Sequence, residues 1–233
     1  LVGAIDACID ALETQIEATR TARAGVLAEL LSTPEDDWQT TTLGEVADVS
    51  SKRVTPSDGT DDRYVGLEHL VSGSGKIDGY GSTLDVTSST TPFNVDDTLF
   101  GRLRPYLKKG GSARFKGVCT PEILVVSSRG LIDPPFLTLS IINDQVFKKC
   151  EQLSAGSRMP RTSVQDLLSL EISVPPLSEQ RRIVDLVGAI DACIDALEVQ
   201  VEADRIARAG VLAELLSGEH RLPESYDKFV EAS

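Results

Sequence analysis

The sequence contains few of the residues that build metal sites and hydrolytic sites. Among 233 residues there are two histidines, His69 and His220, and neither has neighbours at metal-ligand spacing. The four cysteines form no CxxC pair: Cys8, Cys119, Cys150 and Cys193. We therefore predict no metal site, no disulfide framework and no Ser/His/Asp constellation, in a protein that stays reduced in the cytosol.

Long hydrophobic runs and targeting signals are absent as well. No segment approaches the roughly 18 consecutive apolar residues that a membrane helix needs. The first residues, LVGAIDACIDALE, lack the basic start and the small-residue cleavage site of a signal peptide. We expect no membrane segment and a cytoplasmic location.

Positive charge is scarce overall, but it is concentrated. The chain has 23 basic and 36 acidic residues and a net charge of −13, which would slow the approach of nucleic acid by long-range repulsion. Residues 1–37 carry two basic and eight acidic groups and residues 178–233 carry six and twelve, whereas residues 38–177 carry fifteen and sixteen. Within this nearly neutral part, GRLRPYLKKGGSARFKG (101–117) has six basic side chains and no acidic one. Such a cluster is typical of a local anion-binding face.

One segment occurs twice, as residues 1–32 and 186–217, and the copies differ at only four positions. Both copies are rich in Ala, Leu, Glu and Arg, which favour helix. Aliphatic residues in and just before the second copy alternate steps of four and three, the a/d spacing of a coiled coil: Ile183, Val187, Ile190, Ile194, Leu197 and Val201. Asp204 and Arg208 interrupt this seam, so we expect a kink, a stutter or a polar contact there.

The order of the copies along the chain predicts how they pack. The first copy runs towards the central region and the second runs away from it, so a helix pair formed by them must be antiparallel. Pro175 and Pro176 block helix upstream of the second copy. We predict that the second helix begins with Ser178 as its N-cap and ends at Ser217, with Gly218 closing it.

The central region has the composition of a mixed α and β domain, so the fold class is α+β. Strand candidates are RYVGL (63–67), DDTLFG (96–101) and VCTPEILVV (118–126). Residues 133–153 predict a helix with Asp133 as its cap, and residues 163–168 predict a shorter helix. The stretch 72–91, which is rich in Ser, Thr and Gly, predicts a long loop.

The tetrapeptide DPPF at Asp133–Phe136 also occurs in the catalytic loop of amino-methyltransferases. A methyltransferase would need a doubly wound sheet with a Gly-rich turn after its first strand, and the sequence has no such unit. The helix start explains all four residues. We therefore predict that the chain is not an enzyme and that it binds no cofactor of its own.

Two basic segments are candidates for contact with nucleic acid. In the first, long donors surround a strand end and a GG pair interpreted as a turn, from which they could reach phosphates or guanine edges: Arg102, Arg104, Tyr106, Lys108, Lys109, Arg114 and Lys116. The second, SAGSRMPR (154–161), contributes Ser157, Arg158 and Arg161. Lys52 and Arg53 complete the candidate set. On charge alone, a solvated hairpin explains the first cluster equally well.

Three patterns, in the same order as in that family, resemble specificity subunits of type I restriction-modification systems. They are YVGLEHL (64–70), DTLFGRLRPYLKK (97–109), and the run from SAGSRMPR to SLEISVPPLSEQRRIV (169–184). The resemblance implies a non-catalytic subunit whose target recognition domain reads one half of a bipartite double-stranded DNA site. It also implies helices that form an antiparallel coiled coil and dock two further kinds of subunit. These are methylation subunits, which bind S-adenosylmethionine, and restriction subunits.

On this interpretation residues 1–34 and 178–217 are the two conserved-region helices, 38–177 is the target recognition domain, and 218–233 is a polar tail. The chain departs from the family because it has one recognition domain where the usual subunit has two. The first copy also lacks a counterpart of PPLSEQRRIVD (175–185), and the chain does not begin with methionine. Two accounts remain open: a fragment of a longer subunit, or a half-size subunit that forms a homodimer through its helices. A different function would be an adaptor or decoy that occupies the methylation subunit and binds DNA only weakly.

Overall fold

The computed structural model describes residues 2–32, 37–56, 63–154 and 158–217. The chain forms two compact units, one made of Leu1–Ala22 and Ala189–Ser233 and the other of Arg23–Gly188. The predictions made for Ser157, for Gly218 and for the tail 218–233 lie outside the described residues.

The first unit is a pair of helices from the two copies of the repeat. Helix α1 is Val2–Ser32 and helix α6 is Leu177–Ser217. Within this unit Asp6 pairs with Arg208, Glu13 with Arg205 and Arg20 with Glu198. Partner numbers fall as α1 advances, so the helices are antiparallel, as predicted. Aliphatic side chains fill the seam between them: Ile5, Ile9, Leu12, Ile16, Ile190, Ile194, Leu197 and Val201.

The interruption of the seam is a polar contact, which was one of the predicted outcomes. Arg208 donates from its guanidinium to the carboxylate of Asp6, and the thiol of Cys8 lies 3.5 Å from Oδ2 of Asp204. This hydrogen bond to Asp204 raises the pKa of the Cys8 thiol above its usual value. The helix remains continuous through these residues, because polar pairs satisfy the groups that replace aliphatic residues here.

Helix α6 begins one residue earlier than predicted. The carbonyl oxygen of Pro176 accepts hydrogen bonds from the backbone N–H of Glu179 at 2.9 Å and of Gln180 at 3.0 Å. The helix therefore starts at Leu177, and Ser178 lies in its first turn, so the prediction of Ser178 as N-cap is wrong. Two consecutive prolines hold the preceding backbone extended, and the second one can still supply the first helical acceptor.

The second unit contains ten strands and four further helices among the described residues. The strands are β1 Gln39–Thr42, β2 Ala47–Val49, β3 Arg63–Val65, β4 Gly81–Ser82, β5 Thr91–Phe93, β6 Thr98–Gly101, β7 Gly110–Ser112, β8 Gly117–Cys119, β9 Ile123–Ser128 and β10 Glu171–Val174. The helices are α2 Leu43–Val46, α3 Pro134–Ile141, α4 Asp144–Leu153 and α5 Val164–Leu168. Short 3-10 turns occur at Leu67–His69, Thr83–Asp85 and Pro105–Leu107.

The strands form three sheets. Strand β1 pairs with β10, and two four-stranded sheets have the orders β2-β9-β6-β7 and β4-β3-β8-β5. The run VCTPEILVV is therefore not one strand, because β8 belongs to one sheet and β9 to the other. Ile123 N–H donates to the carbonyl of Thr120 at 3.0 Å, a tight turn that redirects the chain. Cys119 and Ile123 are both buried, so an apolar run alone does not reveal the break.

The predicted helix over 133–153 is two helices, α3 and α4. The side chain of Asn143 accepts a hydrogen bond from Val146 N–H at 3.0 Å and caps the start of α4. Asp133 precedes α3 but makes no side-chain capping bond. The short helix at 163–168 is confirmed, with a capping box between Ser163 and Asp166. The segment 72–91 is not a plain loop, because it contains β4 and the turn Thr83–Asp85.

The largest core of this unit lies under the sheet β2-β9-β6-β7 and against α3 and α4. Phe100 in β6 stacks on Phe147 in α4, with ring centroids 5.0 Å apart. Phe136 and Leu137 of α3 are also fully buried. Since β6 ends at Gly101, this packing fixes the start of the basic segment that follows.

Candidate nucleic-acid interface

The two predicted basic segments lie side by side and are joined through their main chains. The N–H of Arg104 donates to the carbonyl of Pro160 at 2.8 Å, and the N–H of Thr162 donates to the carbonyl of Arg102 at 2.9 Å. Leu103 and Arg161 form an antiparallel bridge between these bonds. We call the two segments, residues 102–109 and 158–162, the joined loops. They bring Arg102, Arg104, Arg158 and Arg161 to one part of the surface, although more than fifty residues separate Arg104 from Arg158 in sequence.

The backbone of the first loop adopts two left-handed conformations. Arg104 has φ 52° and ψ 68°, and Lys108 has φ 49° and ψ 42°; they flank the 3-10 turn Pro105–Leu107. A residue other than glycine in a sparsely populated region of this kind costs about 1–3 kcal/mol and tends to occur at binding sites. Buried Pro105 and the bond from Arg104 to Pro160 hold the loop in this form. The loop is thus organised before any ligand arrives.

An acidic side chain that the sequence analysis did not single out anchors Arg161. Glu122 accepts two hydrogen bonds from the Arg161 guanidinium, at 3.0 Å from Nε and 2.8 Å from the terminal nitrogen. This bidentate pair, reinforced by the nearby charge of Arg102, holds the pKa of Glu122 below its usual value. Glu122 lies in the turn between β8 and β9, so only the strand arrangement brings it to the basic loops.

The basic side chains of the joined loops differ in what they still offer to a ligand. Arg104, Tyr106 and Arg158 are exposed, and the two arginines have no ion pair within the part of the chain that the structure describes. Lys108 instead pairs with Asp144 at 2.8 Å. The ammonium of Lys109 donates to the carbonyl of Leu67 at 2.6 Å, which ties the loop to the turn Leu67–His69.

Arg102 is only partly accessible. Its side-chain Nε is buried and has no hydrogen-bond partner among the described residues. Its backbone N–H donates to the carbonyl of Glu122 at 3.0 Å. A buried donor without a partner is uncommon in folded proteins. Arg102 therefore keeps donor capacity at the base of the joined loops.

Arg114 and Lys116 lie at a different place from the joined loops. The predicted GG turn is wrong, because Gly110 and Gly111 belong to strand β7, which pairs with β6. In the β6–β7 hairpin, Lys109 pairs with Gly101 and Ser112 pairs with Thr98. Because a strand rises about 3.3 Å per residue, these two ends of the hairpin are about 10 Å apart. The six basic residues of 101–117 therefore form two groups rather than one patch.

The remaining candidates lie near the sheet β4-β3-β8-β5. Lys52 and Arg53 are exposed, and Arg53 donates to the hydroxyl of Thr91 at 2.9 Å. Thr91 belongs to β5 and pairs with Cys119 of β8. Burial raises the pKa of the Cys119 thiol to about 12, so this cysteine is not a nucleophile at neutral pH.

The tetrapeptide DPPF (133–136) lies at a helix start that is bonded to α6. The backbone N–H of Asp133 donates to the side chain of buried Gln180 at 2.8 Å, and its carbonyl accepts from Leu137 N–H at 2.8 Å, so DPPF joins a helix start to α6. No group of three potential metal ligands occurs within residues 2–32, 37–56, 63–154 and 158–217. Across those same ranges, every helix is too short or too polar to traverse a lipid bilayer.

Sequence comparison relates the chain to proteins of one kind. Residues 116–203 match the family described as type I restriction modification DNA specificity domain. The chain is also similar to the EcoDI specificity subunit of a type I restriction enzyme from Escherichia coli, with 30% identity over 198 residues. That alignment covers 82% of this chain and 44% of the relative.

Solved structures share the fold. The S subunit of a type I restriction-modification system from M. genitalium matches with a TM-score of 0.63 at 16% identity, over 92% of this chain and 58% of that one. The HsdS subunit from Thermoanaerobacter tengcongensis matches with a TM-score of 0.56 at 16% identity, over 92% and 54%. Over 82% of its length the chain is therefore similar to a type I restriction enzyme specificity subunit, and residues 116–203 match the DNA specificity domain of that family. The chain spans about half the length of the relatives it matches.

Proposed function

We propose that this chain is the non-catalytic DNA-recognition component of a type I restriction-modification complex and that it reads one half of a bipartite site. The observation that carries the proposal is the main-chain junction of the joined loops, which presents Arg104 and Arg158 beside the anchored Arg161. Arginine donates two parallel hydrogen bonds to guanine in the major groove. A strained, internally bonded loop holds such donors in place and so reduces the entropy lost on binding.

The candidate residues have separate roles in this proposal. Arg102, Arg104, Arg158 and Arg161 are the candidates for base contact. Tyr106, Lys108 and Lys109 hold the first loop in place and are the candidates for phosphate contact. Ser157 belongs to the second basic segment and lies outside the described residues. The assignment of 38–177 as the recognition domain, of 1–34 and 178–217 as conserved-region helices, and of 218–233 as a tail belongs to the proposal as well.

The helices serve assembly in this proposal. Their acidic residues leave the helix pair unsuited to DNA and available to basic protein surfaces. The partners are methylation subunits, which supply S-adenosylmethionine, and restriction subunits, with double-stranded DNA as the common ligand in the cytoplasm. Self-association of two copies through the helices would complete a bipartite site if no second recognition domain is supplied.

A map of adenine methylation tests the recognition function. DNA from cells that express the chain with its methylation subunit is compared with DNA from cells that lack the chain. A new bipartite motif supports recognition; a palindromic motif indicates two copies, and an asymmetric one indicates a second, different domain. A stable complex that modifies no site would contradict the proposal.

Binding of the full chain to the mapped motif tests the assignment of residues. We expect Arg104→Ala to cost about 1–3 kcal/mol on the motif and much less on random DNA. Arg129→Ala is the matched control, because Arg129 pairs with Asp48 at 2.5 Å outside the joined loops. Equal losses on both DNAs would contradict base readout by Arg104.

A second candidate function is an adaptor or decoy that binds the methylation subunit. It is favoured by two large side chains on α6, Val199 and Ile206, which are 70% and 66% exposed. They lie seven residues apart and so on the same helix face, where a protein partner could cover them. Stable assembly without sequence-specific binding of DNA would favour this function over recognition.

A further inference from the structure

A basic residue outside the predicted clusters lies against two aromatic rings that also contact each other. Arg63 begins β3, and its Cζ lies 5.0 Å from the ring centroid of Tyr80 and 5.1 Å from that of Phe115. The two rings are 5.4 Å apart and inclined at 60°. Phe115 contacts buried Phe93 at 5.8 Å, whereas Tyr80 is 53% exposed. The aromatic cluster thus extends from the core of this sheet to its surface and fixes Arg63 there.

This way of holding an arginine leaves its hydrogen-bond donors available. A contact with an aromatic ring uses the face of the guanidinium, and the N–H groups point outward from its edge. Arg63 has no carboxylate within ion-pair distance in the described part of the chain, in contrast to Arg161, whose Nε and one terminal nitrogen bind Glu122. Because the rings restrict its rotamers in advance, Arg63 loses less entropy when it binds an anion.

Two further cations lie at the same end of this sheet as Arg63. Arg114 and Lys116 flank Phe115 in sequence and are both exposed. Gly117, the next residue, begins β8, which runs beside β3. A Cβ atom on Gly117 would lie 2.4 Å from the carbonyl oxygen of Arg63, so only glycine permits this approach. The close pairing keeps the three cations at one end of the sheet.

We propose that Arg63, Arg114 and Lys116 form a second DNA contact, which binds backbone phosphates. The proposal rests on the DNA recognition proposed above and extends it to the sheet β4-β3-β8-β5. Phosphate suits this site, because the guanidinium edge matches two phosphate oxygens and the neighbouring cations add attraction over a longer range. The joined loops would read bases, and this site would fix the orientation of the duplex.

The test measures binding of the full chain to a labelled duplex of arbitrary sequence by fluorescence anisotropy over a series of NaCl concentrations. We expect Arg63→Gln to weaken binding about three- to tenfold at low salt and to reduce the slope of log K against log[salt] by about 0.9. Arg63→Lys should retain the slope because the charge remains. Tyr80→Leu should weaken binding less than Arg63→Gln and leave the slope unchanged, whereas Tyr80→Phe should match the wild type.

Arg129→Gln is the matched control, because this arginine of the same unit already pairs with Asp48; we expect no change in affinity or slope. Thermal unfolding of each variant shows whether it is folded. An unchanged slope for folded Arg63→Gln would overturn the proposal, as would a loss limited to one DNA sequence, which indicates base contact. Normal DNA binding with impaired methylation-subunit binding would identify a protein surface and overturn it too. If the wild type itself binds no DNA at low salt, the recognition function is what fails.

Discussion

The helix pair and the globular unit bury very different amounts of apolar surface. The seam between the helices in the first unit buries four aliphatic side chains among the described residues: Ile9, Ile16, Ile194 and Val201. The larger core of the globular unit buries twenty residues and its smaller core buries eight, again among the described residues. The helix pair adds charged contacts along its edges, whereas the globular unit uses sheets and stacked rings. The globular unit therefore keeps its loops in place by packing, and the helix pair tolerates exchange of its charges.

The helix pair is also nearly symmetric, because its two helices contain near-identical copies of one segment. Glu13 and Arg20 of the first copy correspond to Glu198 and Arg205 of the second. The pairs Arg20–Glu198 and Arg205–Glu13 are therefore the same interaction made twice, once from each end. The copies differ as follows: Thr14 and Val199, Ile16 and Val201, Thr19 and Asp204, Thr21 and Ile206. Two of these differences place exposed Val199 and Ile206 on α6 alone, so the pair has two unlike outer faces.

Truncation of the main core should have the largest effect. We expect Phe100→Ala to lower the free energy of unfolding by about 3–5 kcal/mol, because it removes a fully buried ring that stacks on Phe147. Urea unfolding followed by fluorescence of Trp38, which packs against this core, measures the change. Exposed Leu131→Ala should change it by less than about 0.5 kcal/mol. A loss under about 1 kcal/mol for Phe100→Ala would contradict this account of the core.

Truncation of the seam should have a smaller effect. Ile194 is buried between the helices, and we expect Ile194→Ala to cost about 2 kcal/mol, near the low end for this substitution, because a narrow seam can close around the gap. Unfolding followed by far-UV circular dichroism reports on the helices. Val199→Ala on the exposed face is the control and should have almost no effect. A loss as large as that of Phe100→Ala would remove the contrast between the two units.

The pair Glu122–Arg161 should make stability depend on pH. The folded pKa of Glu122 lies below its unfolded value because Arg161 binds the carboxylate, so the pair stabilises the fold above the ordinary carboxyl pKa and loses this effect as pH falls through the lowered value. We expect the wild type to exceed Glu122→Gln in stability at pH 7 and to approach it near pH 3. Urea titrations at both pH values measure the difference. A constant difference would contradict the pairing.

The ion pairs of the helix pair should contribute least. In a double-mutant cycle of Arg20→Ala and Glu198→Ala, we expect a coupling energy of about 0.2–1 kcal/mol that decreases with salt. The cycle for Arg205 and Glu13 should give a similar value, because the repeat makes the two pairs equivalent. A coupling of several kcal/mol in only one cycle would contradict the near-symmetry of the pair.

Local patterns predicted the elements that depend on short-range order. The long helices were predicted from composition and heptad spacing, because helix formation and seam packing repeat every few residues. Their antiparallel packing was predicted from the order of the two copies, and a polar contact was one of three outcomes expected at Asp204 and Arg208. The short helix at 163–168 was predicted from its sequence, and its capping box was found only in the structure. Two errors of element bounds occurred where the chain turns: at Thr120 between β8 and β9, and at Asn143 between α3 and α4. In both places only three residues separate two apolar segments, so the segments were interpreted as one element.

The candidate site shows the same division. The sequence identified the basic segments from their charge, but Glu122 carries no local signal of its role, and Arg63 begins a predicted strand outside those segments. Their functions depend on strand pairing between residues that are far apart in the sequence.

By itself, the sequence determined the helical repeat and the separation of acidic helices from a locally basic central region, because heptad spacing and charge are properties of neighbouring residues. Only the tertiary structure decided which cations share a surface. It joined the loops of Arg104 and Arg161, moved Arg114 and Lys116 to the opposite end of the β6–β7 hairpin, and placed Arg63 beside them. The physical reason is that the register of strand pairing is set by packing across the whole unit.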